Sequence, residues 1–298
     1  MQSSRLAVAV FAAVSCVSSA ASSYCRTMSE PVSANYVPAK GACWNQGVPL
    51  FWNNPCVGYS VQKDASVQLS LADATSAVSR AFGSWESVEC PSHISIKATD
   101  LGPVECHEVR YNSGGPNQNV IMFDDTSWPH SDSSNTLALT TVTFNSATGE
   151  IYDADIEINT FQQHLSTGDI PKSGYDFDSI ITHEVGHFLG LAHTPDTTAT
   201  MFAHYTPGTI SMRTLAPDDI AGICEVYPPA GTRSATSSTL VTPTCDPTPR
   251  HGFSSECAGS NSTRSGCALG PSRSGVSGLV AVLLGLCLGT LRRRSRGA

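Results

Sequence analysis

The sequence predicts an α+β domain, a twisted mixed β-sheet with a first helix, a second helix and a last helix. Three observations carry that expectation. Short runs rich in β-branched and apolar residues fall at 57–61, 94–98, 119–123, 136–144 and 149–159, bounded by turn-forming residues. Between the first two runs, Ala74, Val78, Ala81, Phe82 and Trp85 recur at i, i+4, i+7, i+8 and i+11, the stripe of a helix packed on a core. After the last run a second helix is expected over about 177–190, where histidines at 183 and 187 are spaced one helical turn apart. Strands with interleaved helices, without a strict βαβ alternation, point to α+β.

Each element has a local reason. The helix expected over 70–88 lies between the first two strands. Residues 145–148 form a turn-like link between the two longest strands, so 136–144 and 149–159 read as a hairpin. Asp176 or Asp178 can cap the free amides that open the second helix. The last helix opens at Pro217, which suits a first turn, and Asp218 and Asp219 complement its positive end. No internal repeat is visible.

Residues 183–193 carry the chemistry: His183-Glu184-Val185-Gly186-His187-Phe188-Leu189-Gly190-Leu191-Ala192-His193. This run fits H-E-x-x-H-x-x-G-x-x-H. His183 and His187, four apart on a helix, share one face and can hold one zinc ion. Glu184 stands beside the metal, where its carboxylate can take a proton from water. Gly190 can adopt a positive φ, which lets the helix stop and the chain turn back. The turn brings His193 in as a third nitrogen ligand. Three protein ligands with a fourth position open is the layout of a catalytic zinc site; structural sites close all four.

The motif resembles that of the metzincin clan of zinc endopeptidases. Ala199-Thr200-Met201-Phe202-Ala203-His204-Tyr205 places Met201 eight residues after His193, a spacing similar to the methionine turn of the matrixins, and Tyr205 matches the tyrosine of that turn. Ala203 stands where matrixins usually have proline, and Thr194 where many have serine. Residues 81–88 (Ala-Phe-Gly-Ser-Trp-Glu-Ser-Val) and 215–223 (Leu-Ala-Pro-Asp-Asp-Ile-Ala-Gly-Ile) resemble the first and last helices of the family, so the likeness spans about 57–228.

The resemblance implies a zincin/metzincin fold, with a small C-terminal part holding the methionine turn and the final helix. It implies a zinc endopeptidase acting on protein or peptide substrates, with Glu184 as the base. Residues 137–143 would be the edge strand that pairs with extended substrate. Tyr205 would wall the cleft or hydrogen-bond the oxyanion, and the residues up to about 213 would wall the adjoining specificity pocket. His204 is a candidate to line the cleft. Asp153, Asp155 and Glu157 sit at i, i+2 and i+4 on one strand face, a set of oxygen donors that suits calcium, which matrixins bind near here. Tyr152 stands about where that family has a zinc-binding histidine, so a second, structural zinc is not expected. No P-R-C-G motif precedes residue 57. The competing class is a non-catalytic surface adhesion or binding module that keeps a zinc site.

The chain ends and cysteines set the context. Residues 1–21 hold Arg5, an apolar run and small residues, and read as a secretory signal. A lipid-attachment reading at Cys16 fits less well. Of the ten cysteines beyond Cys16, eight (Cys25, Cys43, Cys56, Cys90, Cys106, Cys224, Cys245 and Cys257) form an even set suited to disulfides in an oxidising compartment, their connectivity open. Residues 22–56 read as a Cys-containing segment and 229–273 as a Pro/Ser/Thr/Gly-rich linker. Residues 275–291 are an uncharged apolar stretch followed by Arg292-Arg293-Arg294-Ser295-Arg296. As a helix the apolar stretch 275–291 of this tail (274–298) would barely span a bilayer. It resembles the C-terminal sorting tails of myxobacterial surface proteins and implies attachment to the cell envelope, with the domain outside the cell. A formal net charge of −8 without a basic face argues against nucleic acid. A monomer is expected.

Overall fold

The computed structural model describes residues 24–33, 36, 42–235, 238–241, 244–257 and 279–288. In chain order the main elements are β1 (Cys56–Val61), α1 (Leu71–Glu86), β2 (Lys97–Asp100), β3 (Val120–Phe123), β4 (Thr136–Asn145), β5 (Ile151–Ile158), α2 (Phe177–Phe188) and α3 (Pro217–Val226). The first five strands lie in the order β4-β5-β3-β1-β2. All neighbours run parallel except β4, which returns antiparallel to β5 through the 145–150 turn. The expected α+β mixed sheet is therefore present.

The helices form where the pattern placed them. Ser70 caps α1 by accepting the Asp73 N–H, and Ala74, Ala77, Val78, Ala81, Phe82 and Trp85 are its buried face. Phe82 stacks on Tyr59 of β1 at 4.3 Å between ring centroids and meets Phe188 of α2 edge-on at 5.2 Å. Trp85 closes the contact by donating its indole N–H to the Thr182 carbonyl at 2.9 Å. Asp176, not Asp178, caps α2 through the Ser179 N–H at 2.8 Å. Asp178 instead accepts from Arg80 of α1 at 2.7 Å.

Several boundaries differ from expectation. The second strand begins at Lys97 rather than 94, because the chain bends at Ser95 and the ladder with β1 starts at the Cys56–Lys97 pair. Ahead of residue 57, Leu50, Phe51 and Trp52 already belong to the domain's main core. Cys25–Arg26 also pairs antiparallel with Leu191–Ala192, beside the third histidine. The stretch from 229, expected as a linker, is tied to the domain. Residues Thr232–Ala235 and Ser238–Val241 pair as a hairpin. Arg233 is fully buried, donating to the Trp52 and Ser95 carbonyls at 2.9 and 2.8 Å with its guanidinium over Tyr227. The eight cysteines pair as Cys25–Cys43, Cys56–Cys245, Cys90–Cys224 and Cys106–Cys257, so two bridges fasten the 245–257 stretch to the sheet side.

Within the C-terminal apolar stretch, Leu279–Leu288 is a strand rather than the expected helix. It lies antiparallel to β4 with Leu284 opposite Thr140, and parallel to His204–Tyr205 on its other side. The physical reason is the free edge of β4, whose backbone groups find partners in an extended apolar segment. Among the described residues no helix is long and apolar enough to cross a membrane. The expected leader at 1–21 and the arginines at 292–296 lie outside the described residues.

Candidate active site

Helix α2 is buried at every position and carries His183, Glu184 and His187 into the space below β4. One helical turn separates the two imidazoles, whose centroids are 4.7 Å apart. The chain then turns at Gly190, whose φ is +94° and where a Cβ would lie 2.7 Å from the Leu50 carbonyl oxygen. Only glycine meets both demands. The turn returns His193, and its Nε2 sits 3.2 Å from the Nε2 of His183 and 3.2 Å from that of His187. Among the described residues this is the one group of three His, Cys, Asp or Glu side chains able to hold a metal ion.

The outer partners make the triad a ligand set. His183 Nδ1 is 2.6 Å from the Thr200 carbonyl, and His187 Nδ1 is 2.9 Å from the Leu191 carbonyl. A carbonyl only accepts, so each Nδ1 carries the proton and each Nε2 keeps a lone pair for a metal. Burial draws His187 down to about 4 and holds His183 and His193 well below the ordinary histidine value, with neighbouring imidazoles adding to the effect for those two. Neutral, convergent imidazoles fit zinc.

Glu184 is fully buried, and the hydroxyl of Thr140 on β4 donates to its Oε2 at 2.6 Å. Met201 lies under the helix at Gly186, where an added Cβ would come within 2.2 Å of the methionine sulfur and 2.8 Å of the Trp85 ring. The turn is pinned by Asp219, whose carboxylate accepts the N–H groups of Thr200 and Met201. Thr194, at a serine position of the resembling family, donates its hydroxyl to Asp218 at 2.8 Å.

Tyr205 is buried, and its hydroxyl donates to the Thr209 carbonyl. That engagement favours a wall role over hydrogen-bonding an oxyanion. Arg213 anchors the same loop by donating to both carboxylate oxygens of Asp176, the cap of α2, and to the Gly168 carbonyl. His204 is exposed, its ring against Phe202, and stands outside the triad.

The three acidic residues of β5 are placed differently from the calcium expectation. They share a face, but the amides of Val120 and Arg110 donate to Asp155, at 2.9 and 3.0 Å. Glu157 is 2.8 Å from the Nε2 of His130. Burial pushes the Asp155 carboxyl up to about 7 and raises Asp153 as well, and the two side chains hydrogen-bond each other. They do not gather as a cation cage. Tyr152 lies under the Arg250 guanidinium, 3.8 Å from ring centroid to carbon.

Thr140, Gly186, Asp219 and Arg213 neighbour the site through contacts that the sequence patterns do not specify. Thr140 sat inside a run marked only as an edge strand. Gly186 occupied a free position of the motif, and Asp219 read as a helix-end charge.

Comparison with known proteins agrees with this geometry. The matrixin family model (Peptidase_M10) matches residues 51–228. Metalloendoproteinase 1 of Glycine max is 38% identical over 80 residues, 26% of this chain and 24% of that protein. Metalloendoproteinase 1-MMP of Arabidopsis thaliana is 25% identical over 183 residues, covering 60% of this chain and 44% of that protein. Matrix metalloproteinase-C of Caenorhabditis elegans is 25% identical over 192 residues, 63% of this chain and 30% of that protein. The chain thus spans less than half the length of each of these relatives. With its family model covering the sheet, the histidine triad, the methionine turn and the last helix, the chain belongs to the matrixin family of metallopeptidases.

Proposed function

We propose that this chain is an exported zinc-dependent endopeptidase that hydrolyses peptide bonds of extracellular proteins. The observation that carries the proposal is the convergence of three neutral Nε2 atoms beside the buried, hydroxyl-held carboxylate of Glu184. His183, His187 and His193 would hold the zinc. When bound, the metal supplies Lewis acidity that activates a water and polarises the scissile carbonyl. Glu184 accepts the water's proton and passes it to the leaving amine. The carbonyl partners of His183 and His187 keep those two imidazoles in the ligating tautomer.

An extended substrate would lie along β4. The pairing of Leu279–Leu288 with that edge supports this, since the edge accepts an antiparallel strand directly opposite Thr140. Tyr205 and the residues up to Arg213, pinned to Asp176, would wall the pocket beyond the cut. Four disulfides support an oxidising destination. Export by the leader at 1–21 belongs to the same proposal, as does envelope attachment by the tail at 274–298, which would require Leu279–Leu288 to leave the edge of β4.

A non-catalytic module with a structural zinc would have no use for a buried base. The test is hydrolysis of a quenched peptide library by the oxidised full chain. Activity is expected, with loss on chelation and recovery on adding zinc. A zinc-loaded chain that cuts no peptide or protein would refute it. N-terminal sequencing of the protein collected outside the producing cell, expected to start after Ala20 or Ala21, tests export.

A further inference from the structure

We infer that Thr140 is a positioning residue for Glu184, resting on the endopeptidase reading above: its hydroxyl fixes the rotamer of the base from a separate element, the strand along which substrate would lie. The side chain is fully buried, so its hydroxyl must find an acceptor. It donates to Glu184 Oε2 at 2.6 Å, with the Glu184 backbone carbonyl more distant at 3.4 Å. A hydroxyl-to-carboxylate bond is charge-assisted and roughly twice as strong as a neutral one.

Helix α2 fixes only the backbone of Glu184, and a glutamate side chain retains several staggered rotamers unless something beyond its backbone holds it. Thr140 can anchor it because Thr140 is itself immobile. Its χ1 is stiff through β-branching. Its backbone lies in the sheet between Ile156 of β5 on one side and Leu284 on the other. A base held in one orientation before the reaction avoids the cost of ordering it during proton transfer. Because Leu284 lies directly opposite Thr140, a peptide taking the same place on β4 is set in register by the very residue that orients the base. One strand therefore aligns both partners of the reaction.

The test is a comparison of the full chain with Thr140→Val, Thr140→Ser, Glu184→Ala and the Thr140→Val/Glu184→Ala pair, each with one zinc per chain and assayed well below its thermal midpoint. Thr140→Val should lower kcat about 10- to 100-fold, the size of a lost charge-assisted hydrogen bond, with KM within about twofold. Thr140→Ser, which keeps the hydroxyl, should restore kcat to within about threefold of the parent. In the Glu184→Ala background Thr140→Val should change nothing, since the group it serves is gone. An unchanged kcat for Thr140→Val, equal losses for valine and serine, or a persisting loss without Glu184 would overturn the inference. A parent chain that hydrolyses nothing would instead refute the endopeptidase reading, which the same assay reports separately.

Discussion

One carboxylate oxygen of Asp219 accepts the backbone N–H of Met201 at 3.0 Å, while its other oxygen accepts the N–H groups of Thr200 and Ala216 at 2.7 and 2.8 Å. The last helix thereby holds the turn beneath the zinc helix. Thr200 is also the residue whose carbonyl meets His183 Nδ1, so Asp219 stands two bonds from the metal site. Replacing Asp219 by Ala leaves three amides without their acceptor. We expect a stability loss of about 2–4 kcal/mol and a midpoint lower by about 5–10 °C. Zinc affinity should fall by about tenfold or more as His183 loses its orientation. Calorimetry and chelator competition measure the two effects. An unchanged affinity would show that the turn does not orient the ligand.

Gly186 makes a second prediction. Because its α-carbon faces the Met201 sulfur and the Trp85 ring, Gly186→Ala must displace one of them, and the tryptophan is fixed by its bond to Thr182. Overpacking of this kind costs about 1–3 kcal/mol in urea unfolding. Adding Met201→Ala should recover part of the loss, since the two sites share one space. Strict additivity would place the strain elsewhere.

The buried acid pair on β5 predicts an unusual pH response. Burial raises Asp153 and brings Asp155 to about 7, so the folded protein keeps a proton that the unfolded chain releases near pH 4. The stability they contribute therefore falls as pH rises through 7 and returns on acidification. Groups nearby act on the same window: Asp124 is raised by burial to about 6, and Glu157, itself raised by burial, faces His130. The metal-free histidine triad acts oppositely, losing stability as pH falls from about 6.5, so the measurement uses zinc-loaded protein. Asp153→Asn keeps a donor toward Asp155 without the charge. It should raise stability near pH 8 by about 1–2 kcal/mol and flatten the profile between about pH 5 and 8. A parallel profile for parent and variant would contradict the shared proton.

Much of this molecule was legible before its structure. The strands and the first helix followed from side-chain period, and the clustering of His183, His187 and His193 from their spacing, because a helix puts 183 and 187 on one face and the turn at Gly190 returns 193. What escaped were contacts between elements far apart in sequence. Thr140 and Glu184 are 44 residues apart, and nothing in the run around Thr140 marks a hydroxyl aimed at a carboxylate. The acidic alternation at 153, 155 and 157 correctly gave a shared face, yet a face is not a cage. The segment at 110–120 that supplies Asp155 with amide partners was not predictable from it. Likewise, a Pro- and Ser-rich composition reads as a linker until Cys245, Cys257 and the buried Arg233 tie it down.

The central claim is that the zinc ligands and Glu184 form a hydrolytic site and not a structural one. Measuring zinc content and peptide hydrolysis together for the parent chain and Glu184→Ala tests it most directly. We predict one zinc per chain in both and hydrolysis lower by about 10²- to 10⁴-fold in the variant. Equal hydrolysis in the two chains, or none in either with zinc bound, would contradict the account.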